Sequence, residues 1–349
     1  MNRKQFGGKM TQDWLARYQG SPQWKEGKFE NIEQTETALN WRKMPGILCR
    51  QLKGHKQGAP SRPLQIAPFD AKAFLAKDGA PKFAWFGHSA VLMRLMGQTL
   101  LIDPMLGDDA SPIAPMKTKR FSDDSLRIID ELPTIDLVLI THDHYDHLDY
   151  ESIQKLRPKA KHFFVSLGVK RHLCSWGIAA EAVEEFDWWQ SKTFQNIQIT
   201  FTPTRHFSGR GLSSLSKCLW GGWTFKTATE NIWFSGDGGY GGHFKEVGEK
   251  LGPFDLAFME CGQYNDDWPQ VHLFPHESVR AALDARAKTA VPVHWGGFNL
   301  SYQHSWFDPA EEFAREANEK GLAVRTPALG QVFGLDTPTN YWWHACMPL

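Results

Sequence analysis

Apolar and polar positions fall into no clear period over the first 80 residues and become regular after them. Lys82 to Phe86 alternates into Gly87, and the apolar pattern resumes from Ala90 to Leu95. Gly97-Gln98 then reads as a hairpin turn before a strand at Thr99 to Ile102. Leu137-Val138-Leu139-Ile140 is a continuous apolar run, the pattern of a strand buried on both faces. Asp149 predicts a helix N-cap, with the helix running to about Leu156 before Pro158 stops it. The same reasoning predicts a short strand at His162–Val165 and a helix at Val169–Trp176 ended by Gly177. Further strands are expected at Ile197–Thr202, Cys218–Phe225, Asn231–Ser235, Leu256–Met259 and Ala290–Val293. Helices are expected at Glu277–Ala287 and at Pro309–Lys320 before Gly321. Strands therefore dominate early in each half and helices later, with no short repeat and no low-complexity block.

Residues 1–80 mix Gly, Pro, Lys and Gln with isolated Trp14, Trp24 and Trp41. Thr37 to Leu52 has partial helical spacing, interrupted by Pro45-Gly46, and Arg42, Lys43, Arg50, Lys53 and Lys56 lie nearby. This stretch reads as an N-terminal arm packed on a main domain at 81–349. The alternative is a basic amphipathic patch making peripheral contact with a membrane surface.

Composition narrows the function classes. Of 349 residues, 42 % are apolar and 22 % charged, which is globular composition. Lys+Arg and Asp+Glu both number 39, so the chain lacks the global basic field expected of a nucleic-acid partner. No segment approaches the roughly 20 apolar residues that cross a bilayer, and Met1–Gly20 has no apolar signal core. Cys49, Cys174, Cys218, Cys261 and Cys346 are scattered without a CxxC pair. That argues against a disulfide framework or a thiolate zinc site and fits a cytoplasmic location.

The chemistry concentrates at Thr141-His142-Asp143-His144-Tyr145-Asp146-His147-Leu148-Asp149, directly after the apolar run. Three histidines and three aspartates are poor core material and good material for holding metal ions and the water they activate. Residues two apart on an extended segment face the same way, so His142 and His144 can grip one ion. Asp146 and His147 lie further on and can face a second. His206, Asp237 and His294 each follow a predicted strand and can converge on the same place. Asp237, with two carboxylate oxygens, suits a bridging position between ions about 3.5–4 Å apart. A lone histidine after a strand is more often simply hydrogen-bonded, so His206 and His294 draw their weight from the HxHxDH run. Imidazole and carboxylate together suit zinc, with manganese or iron as alternatives.

His142-x-His144-x-Asp146-His147 resembles the signature of the metallo-β-lactamase fold superfamily. Trp85-Phe86-Gly87-His88-Ser89, Leu101-Ile102-Asp103-Pro104, Thr202-Pro203-x-x-His206, Gly236-Asp237-x-Gly239-Tyr240 and His294-Trp295-Gly296-x-Phe298 resemble one branch, the N-acyl-phosphatidylethanolamine phospholipase D family. The likeness runs in order from about residue 80 to 335. It implies a four-layer αβ/βα sandwich of two mixed β-sheets flanked by helices. It also implies a dinuclear zinc centre that hydrolyses a phosphodiester with a metal-bridging hydroxide as nucleophile, the substrate being a small molecule or an N-acylphosphatidylethanolamine-like lipid. By motif, one zinc takes His142, His144 and His206, the other takes Asp146, His147 and His294, and Asp237 bridges. Two stretches depart from the pattern: Gly262 to Trp268, and His272-x-x-Pro275-His276-Glu277, where His276 replaces an acid. Both bear on the substrate rather than the metals. The rival readings are a lactonase or other acyl hydrolase on the same centre, an iron oxidoreductase, and a non-catalytic metal-binding protein.

Asp146 and Asp237 are the expected catalytic carboxylates, and His272 is the candidate general acid. His88 reads as a partner of a ligand, a substrate contact, or a residue bonded within its own turn. Asp103 either orients a ligand histidine or caps a turn. Asp143 is expected to be a solvated loop acid. Trp268, Trp295 and Trp306 are candidates for lining an apolar pocket. The glycines around Asp237 lack a P-loop pattern, and Ser89 lacks a nucleophile elbow.

Overall fold

The computed structural model describes residues 3–36, 44–111, 118–211 and 214–347. In the N-terminal arm, β1 (Trp24–Lys25) and β2 (Lys28–Phe29) form a small hairpin. The main body holds two seven-stranded sheets. The first contains β3 (Lys82–Trp85), β4 (Val91–Leu95), β5 (Gln98–Ile102), β6 (Ile135–Ile140), β7 (Ala160–Ser166), β8 (Val183–Phe186) and the late strand β16 (Val332–Phe333), in the order β16-β3-β4-β5-β6-β7-β8. The second contains β9 (Ser191–Phe194), β10 (Ile197–Thr202), β11 (Gly222–Lys226), β12 (Asn231–Phe234), β13 (Leu256–Glu260), β14 (Thr289–Val293) and β15 (Ala323–Val324), in the order β15-β14-β13-β12-β11-β10-β9. Each sheet is antiparallel in part, then parallel: β5 through β8 run parallel, as do β12 through β15. With helices on the outer faces, this is the expected four-layer sandwich.

The apolar run in β6 shows why the layers form. Leu137 and Leu139 join the cluster that holds Ile199, Phe225 and Phe258 of the second sheet. Val138 and Ile140, pointing the other way, join Ile129, Ile153, Leu156 and Leu173 of the outer helices. Alternate residues thus serve two cores. Each such side chain, once buried, contributes about 1.5–3 kcal/mol.

Helix ends follow their local chemistry. Asp149 caps Tyr150–Leu156 by accepting from the amides of Glu151 and Ser152. Gly321, at φ +73°, ends Asp308–Lys320. Helix Pro275–Asp284 starts two residues before the predicted Glu277, with proline in its first turn, where no amide donor is needed. The same tolerance explains Met44–Lys53, which is helical despite Pro45-Gly46; residues 37–43, and Trp41 with them, lie outside the described part.

One strand expectation shifts. The predicted Cys218–Phe225 strand begins only at Gly222, because Cys218 to Gly221 turns aside so that the Leu219 amide can donate to Leu167 O (2.7 Å). A Cβ on Gly222 would lie 2.4 Å from Phe234 O, so the close crossing there needs glycine. Strands β8, β9, β15 and β16 escaped the periodicity reading because they are only two to four residues long, and β9 is largely exposed. No helix among the described residues is long and apolar enough to cross a membrane.

Candidate metal centre

The segments holding the candidate residues leave the two sheets at one edge. The loop Thr141–Asp149 follows β6, His206 follows β10, Asp237 follows β12, Glu260 ends β13 and His294 follows β14. The turn between β3 and β4 ties this edge together: the His88 amide donates to Trp295 O (2.7 Å) and the His294 amide to His88 O (2.9 Å). His88, Asp103 and His294 all have positive φ (54°, 41° and 71°) without being glycine. Such backbone is held only where surrounding contacts over-determine it.

Seven histidine and aspartate side chains converge. His144 Nδ1 lies 2.9 Å from His142 Nε2 and 3.2 Å from His206 Nε2. His147 Nε2 lies 3.2 Å from His294 Nε2, and both lie 3.0 Å from Asp237 Oδ2. Asp146 Oδ2 is 3.3 Å from His294 Nε2, and Asp237 Oδ2 is 3.9 Å from His206 Nε2. Three ring nitrogens facing one another cannot all be paired by hydrogens, since each nitrogen either donates or accepts. Lone pairs aimed inward from both sides of a carboxylate suit divalent cations. The buried His/Asp cluster therefore has the composition and geometry of a metal site.

Neighbouring groups set the ring orientations. Asp103, wholly buried, accepts from the Thr141 amide (2.8 Å) and hydroxyl (2.6 Å) and lies 2.7 Å from His147 Nδ1. Of the two readings for Asp103, orientation of a cluster histidine is what the structure displays. His206 Nδ1 lies 2.8 Å from Val271 O, and His142 Nδ1 2.9 Å from the Thr141 hydroxyl. Each leaves Nε2 facing the cluster. His88 Nε2 is 2.8 Å from Asp146 Oδ2, and its ring packs 4.1 Å from that of His294. His88 thus bonds to a cluster carboxylate and not within its turn.

Burial lowers His142 and His206 well below the usual imidazole range, and neighbouring histidines push the same way. For His147, burial also lowers the value, but Asp237, Asp146 and Asp103 outweigh it and bring it up to about 10. Burial raises Asp237, yet His147 and His294 hold it well below the ordinary carboxylate range. A bound cation would take the place of the proton that His147 holds between these carboxylates.

His272 sits at the rim. Its Nδ1 lies 3.2 Å from Glu260 Oε1, and its ring stacks 5.3 Å from that of His294. Glu260 is a buried acid at the end of the otherwise apolar strand β13, and it also accepts from the Leu273 amide (2.7 Å). An ionisable residue closing an apolar run was the sequence signal for it.

Two expectations are corrected. Asp143 is not solvated: it is fully buried, accepting from the Gly209 amide (2.7 Å), with Cys218 Sγ and His172 Nε2 each 3.2 Å away. Burial raises its pKa, but His172 and Arg171 hold it below the usual range. Trp295 and Trp306 are buried. Both are core residues, Trp295 stacking against Trp85 and Trp342. Trp268 is half-buried and donates to Gln263 O (2.8 Å).

A cavity of about 350 Å³ lies beside the cluster, lined in part by Phe29, Asn31, His206, Phe207, Leu215 and Trp220. The Phe207 ring packs edge-on against His144 (4.6 Å). The arm residues in this lining carried no sequence signal.

The comparisons with known proteins agree with this geometry. A family model described as a beta-lactamase superfamily domain matches residues 98–295. An uncharacterised protein of Mycobacterium tuberculosis is 34 % identical over 330 residues, covering 93 % of this chain and 87 % of its own. N-acyl-phosphatidylethanolamine-hydrolyzing phospholipase D 1 of Caenorhabditis elegans is 34 % identical over 338 residues, covering 88 % of this chain and 93 % of its own. Among solved structures, a metallo hydrolase of Ignicoccus hospitalis shares the fold with a TM-score of 0.55 at 21 % identity, over 74 % of this chain and 100 % of that one.

Proposed function

The chain belongs to the metallo-β-lactamase superfamily, and on that premise we propose that it is a metal-dependent hydrolase of phosphodiesters, of phospholipase D type. The observation that carries the reading is the convergence of His142, His144 and His206 on one side of Asp237, and of Asp146, His147 and His294 on the other. We assign the first three to one zinc ion and the second three to another, with Asp237 between them. The substrate class follows the name of the Caenorhabditis elegans relative, an enzyme for an N-acylated phospholipid.

Two bound cations would supply Lewis acidity toward the phosphoryl oxygens and an ionised water as nucleophile. The protein's part is positional. Asp103 and Val271 O fix which ring nitrogens of His147 and His206 face inward. His88 holds Asp146. Glu260 holds Nδ1 of His272, so that His272 can give a proton to the leaving oxygen from its other nitrogen. The purified, zinc-loaded protein is to be assayed on a model phosphodiester, on N-acylphosphatidylethanolamine in mixed micelles and on a lactone. Turnover of the diesters is expected. Turnover of the lactone alone would replace this reading with acyl hydrolysis, and redox-active iron with oxygen uptake would replace it with an oxidoreductase.

A further inference from the structure

We infer that Asn31, on the N-terminal arm, is a positioning residue for His206, which makes the arm a working part of the metal centre. The inference rests on the assignment of His206 as a metal ligand. The Asn31 side-chain amide pairs with both backbone groups of His206, donating from Nδ2 to His206 O (2.7 Å) and accepting at Oδ1 from the His206 amide (3.1 Å). The same Oδ1 accepts from Trp220 Nε1 (2.9 Å), and Trp220 is fully buried. The loop after β10 has no regular structure at this point, and among the described residues no backbone group pairs with the amide or carbonyl of His206. His206 is itself wholly buried. Without Asn31 its two main-chain groups would be unpaired in a place water reaches poorly, and the loop would shift to satisfy them.

Adjoining contacts act in the same direction. Arg205, one residue before His206, donates to Gln34 O (2.8 Å) and to the Thr35 hydroxyl (3.0 Å). The Glu36 amide donates to Gln270 Oε1 (2.7 Å), next to Val271, whose carbonyl sets the His206 ring. The arm therefore fixes the main chain that carries the ligand and flanks the group that turns its ring. A side chain held within a few tenths of an ångström matters more to a metal site than to a fold.

The test is a zinc titration of the metal-free full-length chain against a chromophoric chelator, with cobalt substitution as a spectroscopic readout. Asn31→Ala should weaken one of the two zinc sites by about 10–100-fold, leave the other unchanged, and alter the visible cobalt spectrum. Asn31→Asp is nearly isosteric and serves if the alanine variant fails to fold. It keeps the acceptor but faces His206 O with a carboxylate, so it should weaken the same site. Lys25→Ala, which changes an exposed side chain of the arm hairpin, should match the parent. Parent zinc affinity at both sites in both Asn31 variants would overturn the inference and leave the metal assignment standing. Lost stability with unchanged zinc affinity would make Asn31 an ordinary clamp and overturn it too. A parent chain that takes up no zinc would remove the metal assignment and this inference together.

Discussion

The loop after β6 and the loop after β10 bring histidines to the same cluster by opposite means. Thr141–Asp149 carries His142, His144, Asp146 and His147 within one short segment, and Asp103 from the neighbouring strand end anchors it at three atoms. The loop after β10 brings His206 alone and is fastened by Asn31, 175 residues away in sequence. A dense local motif can shape itself around a cation with one well-placed neighbour. A solitary ligand needs an external brace, and that brace lies where no motif marks it.

Variants can break or sharpen this contrast. The largest effect is expected from His144→Ala or Asp237→Ala, since each removes a group facing several others. Bound metal, measured by elemental analysis, and diester turnover should both fall by more than about 100-fold, beyond the loss typical of an outer partner. Turnover surviving with metal absent would end the metal reading. Next, His272→Ala should lower kcat by about 100-fold, the lower end for a general acid, while metal content stays at the parent level. Equal loss of metal would move His272 from proton transfer to ligation. Asp103→Asn should weaken zinc by about 10-fold, because the amide no longer fixes the His147 ring as a carboxylate does. Zinc binding equal to the parent's would show that the motif loop needs no anchor. The smallest change is expected for Asp149→Ala, which ends the motif as a helix cap. It should cost about 1 kcal/mol in denaturant unfolding and keep both metals. Loss of metal there would extend the centre beyond His147.

Legibility in the sequence follows the same divide. Strands β3 to β7 of the first sheet and the HxHxDH loop are legible because their apolar alternation and ligand spacing are properties of consecutive residues. The resemblance supplied the layer order, which periodicity alone does not contain. Asp143 looks solvated from sequence because its neighbours are polar, whereas its burial comes from His172, Gly209 and Cys218, 29, 66 and 75 residues away. Trp295 and Trp306 belong to the core, and sequence alone does not separate a core tryptophan from one in a cavity wall. Strands β15 and β16 are two residues each, too short for any period to register. Asn31 has no pattern around it at all.

The extreme N-terminus also reaches the back of the motif loop: Arg210 and Arg171 donate to Gln5 O and Gly8 O across 205 and 163 residues. These contacts can form only once segments far apart in the chain have met. Closing contacts of that span is slow. The strap is therefore expected to seat late in refolding, and pulsed proteolysis of residues 3–8 would follow it.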